Sequence, residues 1–165
     1  MSDMPVIGFC GMSHLGITSS VASASKGFFT YCFDDNASLV EQLKLGHLGL
    51  NEPHLDEAWN SYSDLITYTS NANDLRNCDV VYISKDVATD DYGNSFIDDV
   101  DALVELTKLN VNLNCTIVVL CQVLPGFTRQ KSINCNMFYQ VETLIFGEAY
   151  HRAMYPERLI IGCST

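Results

Sequence analysis

The fold is decided by the stretch Val6-Ile-Gly-Phe-Cys-Gly-Met-Ser-His-Leu-Gly16, in which a short apolar strand enters a helix through a tight turn at Gly11. The residues that follow, Ile17-Thr-Ser-Ser-Val-Ala-Ser-Ala24, suit a helix, which we expect to open near Leu15. A strand that passes into a helix through glycines presents free backbone N–H groups and the positive end of the helix dipole to an anion. The stretch therefore predicts a phosphate-binding turn.

The turn is a degenerate form of the GxGxxG fingerprint, with serine at the middle glycine. A second apolar run, Phe28-Phe-Thr-Tyr-Cys-Phe33, ends in Asp34, eighteen residues after Gly16. An acid at that place accepts hydrogen bonds from an adenosine ribose, and its charge favours NAD over NADP. The alternative is an ordinary glycine turn that binds no nucleotide. The predicted cofactor contacts in this region are Gly11, Met12, Ser13, His14, Leu15, Gly16 and Asp34.

Composition sets the broad class of the protein. A chain of 165 residues, 47% of them hydrophobic, predicts one globular domain. The net charge of −11 argues against nucleic acid or an anionic membrane as a partner, and no apolar run approaches the length of a membrane span. The start, Met1-Ser-Asp-Met-Pro5, lacks the basic and apolar regions of a secretory signal.

The cysteines and histidines indicate a reducing, cytoplasmic compartment and no metal site. The seven cysteines are odd in number and contain no CxxC pair, so we expect small buried hydrophobic residues rather than disulfides. The four histidines show no spacing typical of metal ligands. The cysteines are Cys10, Cys32, Cys78, Cys115, Cys121, Cys135 and Cys163.

Strand-like and helix-like segments alternate along the chain with short links, which predicts a doubly wound, mainly parallel α/β sheet. We find no internal repeat and no linker. The polar, turn-rich segment 84–93 follows the strand-like run 79–83, at the edge where such sheets bind ligands. A solvated loop is the alternative interpretation of that segment. The predicted strands are 6–10, 28–33, 64–69, 79–83, 116–121, 137–141 and 158–162, and the main helices are 15–24, 36–45, 53–59, 97–109 and 149–154.

Six segments in a fixed order match the motifs of one enzyme family. They are Gly11 to Gly16, similar to GxGYVG; Gly46-His-Leu-Gly-Leu-Asn-Glu52-Pro53, similar to G-x-x-P-x-x-E-P; Lys85-Asp-Val-Ala-Thr89, similar to V-x-T-P-T; Val119-Leu-Cys-Gln-Val-Leu-Pro-Gly-Phe-Thr128, similar to I-K-S-T-V-P-x-G-T-T; Tyr139-Gln-Val-Glu-Thr-Leu-Ile-Phe-Gly-Glu-Ala149, similar to N-P-E-F-L-x-E-G-x-A; and Pro156-Glu-Arg-Leu-Ile-Ile-Gly162, similar to P-x-R-I-V-I-G.

Together these segments resemble the N-terminal NAD-binding domain of the UDP-glucose/GDP-mannose dehydrogenase family. That family carries out a two-step, NAD-dependent oxidation of the C6 hydroxyl of a nucleotide sugar to a carboxylate. The resemblance implies a Rossmann-type fold over residues 1–165, with helices on both faces of the sheet. It implies that Glu142 is the catalytic glutamate that activates water, and that Glu142, Thr143 and Leu144 contact the substrate. The further cofactor contacts that it implies are Lys85, Asp86, Val87, Thr89, Cys121 and Gln122.

The chain departs from the family pattern at several of these positions. Ser13 adds a side chain where the backbone approaches phosphate, and Phe146 replaces the second glutamate of the family motif. Val87-Ala88 replaces Thr-Pro, Gln122 replaces a threonine, and Val141 and Thr143 replace Pro and Phe. The nucleophilic cysteine, lysine and asparagine of the family, its central helix and its C-terminal domain have no counterpart in this chain.

The resemblance therefore predicts an NAD-binding domain that is inactive alone and acts on a nucleotide-sugar substrate together with a missing C-terminal domain. Homo-oligomerisation is compatible with it. Two alternatives stay open. The first is a non-catalytic dinucleotide-binding or regulatory module derived from the family, and the second is an unrelated Rossmann reductase.

Overall fold

The computed structural model describes residues 4–92 and 95–162. Among these residues there are seven strands and six α-helices, together with 3-10 turns at Ser63–Leu65 and Ala72–Asn77. The strands are β1 (Ile7–Cys10), β2 (Thr30–Phe33), β3 (Ile66–Thr69), β4 (Val80–Ile83), β5 (Thr116–Val119), β6 (Asn136–Gln140) and β7 (Ile161–Gly162). The helices are α1 (His14–Ser25), α2 (Ala37–Lys44), α3 (Leu55–Tyr62), α4 (Asp98–Asn110), α5 (Phe127–Lys131) and α6 (Ala149–Met154).

The strands form one sheet in the order β3-β2-β1-β4-β5-β6-β7. All neighbours pair in parallel except β6 and β7, which are antiparallel. The chain order reverses between β1 and β4, so this pair is the topological switch point, where doubly wound sheets bind ligands. The predicted Rossmann-type fold is confirmed. Cys10, at the end of β1, lies opposite both Phe33 and Ile83, which brings the glycine turn beside residues 34 and 84.

Side chains alternate between the two faces of the sheet and build a hydrophobic core on each face. Ile7 and Phe9 of β1 belong to the core that packs under α1 and α3. Cys10, the next residue along, belongs to the core on the opposite face, together with Val100 and Val104 of α4. Helices therefore cover both faces, as the fold prediction requires.

Several boundaries differ from the sequence prediction. The first helix begins at His14, next to the predicted start near Leu15, and Ser13 is its extended N-cap residue. The last strand is limited to Ile161–Gly162 instead of 158–162, and its residues are exposed. Asn36 caps α2 by accepting a hydrogen bond from the Leu39 N–H, as the residue type predicts.

Five of the predicted core cysteines are buried, at positions 10, 32, 78, 115 and 121. Burial raises the pKa of Cys10 and of Cys32 to about 12, so both thiols stay neutral. Cys135 is partly exposed, and Cys163 lies outside the described residues. In the part of the chain that the structure covers, no helix has the length and hydropathy needed to cross a bilayer.

Candidate functional site

The glycine turn has the backbone geometry that its sequence requires. Gly11 has φ +94°, a conformation that favours glycine. A Cβ atom on Gly16 would overlap the Gly11 carbonyl oxygen and would lie 2.9 Å from the Ser84 Oγ, so only glycine lets α1 start this close to β1. Ser13, the N-cap residue, makes no side-chain hydrogen bond into α1. The turn thus has the shape of a phosphate cradle with an uncapped helix N-terminus.

Asp34 lies at the end of β2, beside the turn, and is only 4% exposed. Its Oδ2 accepts a hydrogen bond from the Met12 N–H at 2.8 Å, and its Oδ1 accepts one from the Asn36 N–H at 3.0 Å. The sequence predicts a ribose contact for this carboxylate. The structure gives it a further role that sequence reasoning missed, because it also fixes the conformation of the glycine turn. Met12 itself is buried in the core below.

Two serines join the glycine turn to the loop after β4. The Ser13 Oγ donates to the Ser84 carbonyl at 3.1 Å and accepts from the Asp86 N–H at 2.8 Å. The buried Ser84 Oγ lies 3.1 Å from the carbonyl oxygens of both Cys10 and Gly11. The Ser13 side chain therefore occupies the switch point, where a second glycine would leave the backbone open to a diphosphate.

A cavity of about 300 Å³ opens next to this turn, at the carboxyl ends of the central strands. Its volume is at the lower end of the range for small-molecule sites, about 300–1,000 Å³. It brings together nine of the residues predicted from the sequence, namely His14, Leu15, Lys85, Asp86, Val87, Cys121, Gln122, Glu142 and Leu144. Leu120, Tyr139 and Phe146 complete the lining.

Beyond the glycine turn and Asp34, two predicted residues do not line the cavity, and a third lines it only as a buried wall. Thr89 lies in an exposed bridge with Ser95 and does not line the cavity. Thr143 lines the neighbouring surface pockets next to Arg152 instead. Cys121 reaches the cavity wall but is 1% exposed, and its Sγ donates to the Ile83 carbonyl at 3.2 Å. Burial raises its pKa to about 12, so this thiol is part of the wall and is not an ionised ligand.

Glu142 is the carboxyl group in the cavity that is best suited to proton transfer. Its Oε1 accepts the Thr143 N–H. Burial raises the pKa of the Glu142 carboxyl above its ordinary value, while the backbone N–H groups of Thr143 and Leu144 partly offset that effect. A carboxyl with a raised pKa that faces a cavity is a candidate general acid or base.

His14 makes a contact that the sequence did not predict. Its Nε2 lies 2.7 Å from the Oε1 of Glu52, a glutamate noted in the sequence only as part of a motif. The Phe146 ring packs on the His14 ring, with 4.5 Å between the ring centroids. His14 and Glu52 form no recognisable sequence motif. Only the fold reveals that these two side chains meet.

Residues 5–165 match the model of the UDP-glucose/GDP-mannose dehydrogenase family, NAD binding domain. The chain belongs to this family. A curated relative, the UDP-glucose 6-dehydrogenase of Rickettsia typhi, is 27% identical over 169 residues, which cover 96% of this chain and 39% of the relative. The chain thus spans about two fifths of the length of such relatives.

Solved structures of family members share this fold. The UDP-glucose dehydrogenase of Pyrobaculum islandicum superposes with a TM-score of 0.86 at 23% identity, covering 98% of this chain and 41% of that one. The GDP-mannose dehydrogenase of Pseudomonas aeruginosa gives a TM-score of 0.82 at 15% identity, covering 94% and 40%. At these sequence identities the structural similarity supports the fold alone.

NAD is the cofactor of the matched domain, and the residues present fit it. Gly16 leaves the space that a Cβ atom would fill, and the start of α1 carries no side-chain cap. The acidic residue Asp34 directly follows β2. The Ser13 hydroxyl, which accepts a hydrogen bond from the Asp86 N–H, narrows the cradle. We conclude that the site retains the shape of a dinucleotide site with a more constricted diphosphate position.

Proposed function

We propose that this domain binds NAD at the glycine turn and serves a nucleotide-sugar 6-dehydrogenase, which oxidises the C6 hydroxyl of the sugar to a carboxylate. The observation that carries the proposal is that one cavity at the switch point is lined both by the start of α1 and by Glu142. NAD, when bound, supplies the hydride acceptor. The cysteine nucleophile and the lysine that this chemistry needs are assigned to polypeptide outside these 165 residues, so the domain alone gives no turnover. The cysteine pattern supports a cytoplasmic location.

In this proposal the backbone binds the diphosphate and side chains orient the two ends of the cofactor. The N–H groups at the start of α1 face the anion. Each carboxylate oxygen of Asp34 accepts one backbone hydrogen bond and has a second lone pair left for a ribose hydroxyl. Lys85 and Gln122 line the cavity at the other end. Glu142 takes a proton from the water that releases the acid product, a role that its raised pKa favours.

The test is a thermal-shift titration of the domain with NAD and NADH. Ligand that binds only the folded state must raise its melting temperature. We expect a concentration-dependent rise with NADH and a smaller one with NADPH, because the Asp34 carboxylate repels a 2′-phosphate. The absence of any stabilisation at millimolar NADH contradicts the proposal.

A second candidate is a dinucleotide-binding module without catalysis. The exposed Phe146 favours it, since an apolar ring stands where the family motif has a carboxylate. To separate the two, the domain is combined with the remaining part of a family enzyme and assayed for NADH formation from UDP-glucose. Turnover that disappears in Glu142→Gln, while NADH binding persists, supports the dehydrogenase. NADH binding without turnover in any combination supports the module.

A further inference from the structure

Glu52 joins two parts of the molecule that both border the cavity, although it does not line the cavity itself. Its side chain is 2% exposed. Its Oε1 accepts hydrogen bonds from the His14 Nε2 at 2.7 Å and from the Gly147 N–H at 2.8 Å. Its Oε2 accepts one from the Ala149 N–H at 3.0 Å. One buried carboxylate thus contacts the start of α1 and the start of α6.

These three hydrogen bonds are made to an anion. Burial alone would raise the pKa of Glu52, but the Gly147 N–H, the His14 ring and the Ala149 N–H together bring it below its ordinary value. The carboxylate is therefore charged at neutral pH, and hydrogen bonds to a charged acceptor are about twice as strong as neutral ones. Removing one donor leaves a buried charge less well compensated, which weakens the arrangement as a whole.

The groups that Glu52 connects are placed differently relative to the cavity. His14 is the first residue of α1, and its ring lines the cavity directly after the glycine turn. Gly147 and Ala149 follow Glu142 by five and seven residues and close the segment that carries it. Gly147 has φ +83°, a conformation that favours glycine, and its N–H donates to Glu52 within a turn that the Glu148 N–H also closes on the Ile145 carbonyl.

We propose that Glu52 is a positioning residue that couples the glycine turn, through His14, to the Glu142-bearing segment 142–149. A ligand that restrains His14 restrains that segment as well, and loss of the Glu52 charge separates the two. The ligand-dependent half of this proposal rests on the proposed NAD binding. The ligand-free half rests only on the contacts of Glu52.

The ligand-free test measures amide hydrogen exchange at Gly147 and Ala149 by NMR in two pairs of variants. Glu52→Gln is expected to speed exchange at both amides about tenfold, because a charged acceptor is lost. Its matched control is Glu57→Gln, since Glu57 forms an exposed pair with His54 at 3.1 Å. His14→Phe is expected to speed exchange at the same amides although it touches neither, and His14→Gln, whose amide nitrogen can replace the Nε2 donor, is expected to restore slow exchange.

Unchanged exchange at Gly147 and Ala149 in His14→Phe overturns the proposal, whether or not NAD binds and even if Glu52→Gln fails to fold. Equal effects of His14→Phe and His14→Gln also overturn it, because a general packing defect would then explain both.

The ligand-dependent test repeats the measurement with NADH. In the wild type we expect added protection at the glycine turn and at Gly147 and Ala149. In Glu52→Gln we expect added protection at the glycine turn alone. Added protection at both places in Glu52→Gln contradicts the coupling. If NADH protects neither place in the wild type, the proposed NAD binding fails, while the ligand-free result still decides the role of Glu52.

Discussion

The two ends of the chain contribute to the same cavity in different ways. The first end, β1 to β2, is built into the interior, with Cys10, Val21 and Cys32 fully buried. The last end, β6 to β7, carries Phe146 at 81%, Leu159 at 63% and Ile161 at 53% exposure. Apolar residues form both ends, but the last end leaves more of them exposed, although Met137 and Ala149 within it are buried.

The two ends also differ in the contacts that hold their cavity-lining residues in place. The glycine turn is held by two residues that directly follow its neighbouring strands, Asp34 after β2 and Ser84 after β4. The segment that carries Glu142 is held by Glu52, which reaches it from a distant loop. We therefore expect substitutions at the first end to act on folding and those at the last end to act on the cavity.

The largest effect is expected from Gly16→Ala, compared with Gly162→Ala. The new Cβ at position 16 meets the backbone oxygen of Gly11, which cannot move aside without distorting the turn. We expect a loss of about 3 kcal/mol in the free energy of unfolding, measured by urea denaturation. At position 162 the new Cβ has ordinary contacts at 3.8 Å, and the loss is expected to be under about 0.5 kcal/mol. Equal losses in the two variants would mean that the ends do not differ as described.

A smaller effect is expected on ligand affinity in Ser13→Gly. Removing the hydroxyl frees the Asp86 N–H and opens the diphosphate position at the switch point. A recovered hydrogen bond to a charged group is worth about 1.5 kcal/mol, so NADH should bind about tenfold more tightly by calorimetry. Ser13→Thr keeps the hydroxyl and serves as the control. Unchanged or weaker binding in Ser13→Gly would show that the hydroxyl does not obstruct the cofactor.

The smallest effect is expected from Glu142→Gln, seen as a pH dependence. The raised pKa means that the folded state binds the Glu142 proton more tightly than the unfolded state, so this residue lowers stability as the pH rises above its ordinary value of 4.5. The variant should gain less than about 1 kcal/mol at pH 7 and nothing well below pH 4.5, measured by urea denaturation at both pH values. A gain that grows toward acid pH would reverse the assigned sign.

Glu52 provides the opposite sign for comparison. Because its pKa is lowered, the stability it contributes is fully present above pH 4.5 and is lost as the pH falls through the lower folded value. Glu142 and Glu52 therefore affect stability in opposite directions as the pH falls.

The sequence predicted the fold well because its signals are local. A short apolar run before a glycine turn, and the alternation of strands and helices, fix the order of elements without long-range information. Gly11, Gly16 and Asp34 could be placed for the same reason, since each has a position within one βαβ unit. Family motifs then located Glu142.

The side-chain contacts were beyond the reach of the sequence. Whether the Ser13 hydroxyl points to solvent or bonds to Asp86 depends on a loop 73 residues away. The same holds for Glu52, whose partners are 38, 95 and 97 residues distant. The family motif predicted Cys121 as a cofactor contact, but the bond of its thiol to the Ile83 carbonyl depends on the pairing of distant strands.

The long sequence separations around Glu52 also bear on the order of folding. Contacts between residues far apart in the chain require a large loop to close, and they form after the local ones. The elements β1, α1 and β2 follow one another directly in the chain, whereas α6 meets Glu52 and Ser25 only across 97 and 125 residues. We therefore expect the Glu142-bearing side of the cavity to form later in folding than the first strands and helix, and to exchange its amide hydrogens faster.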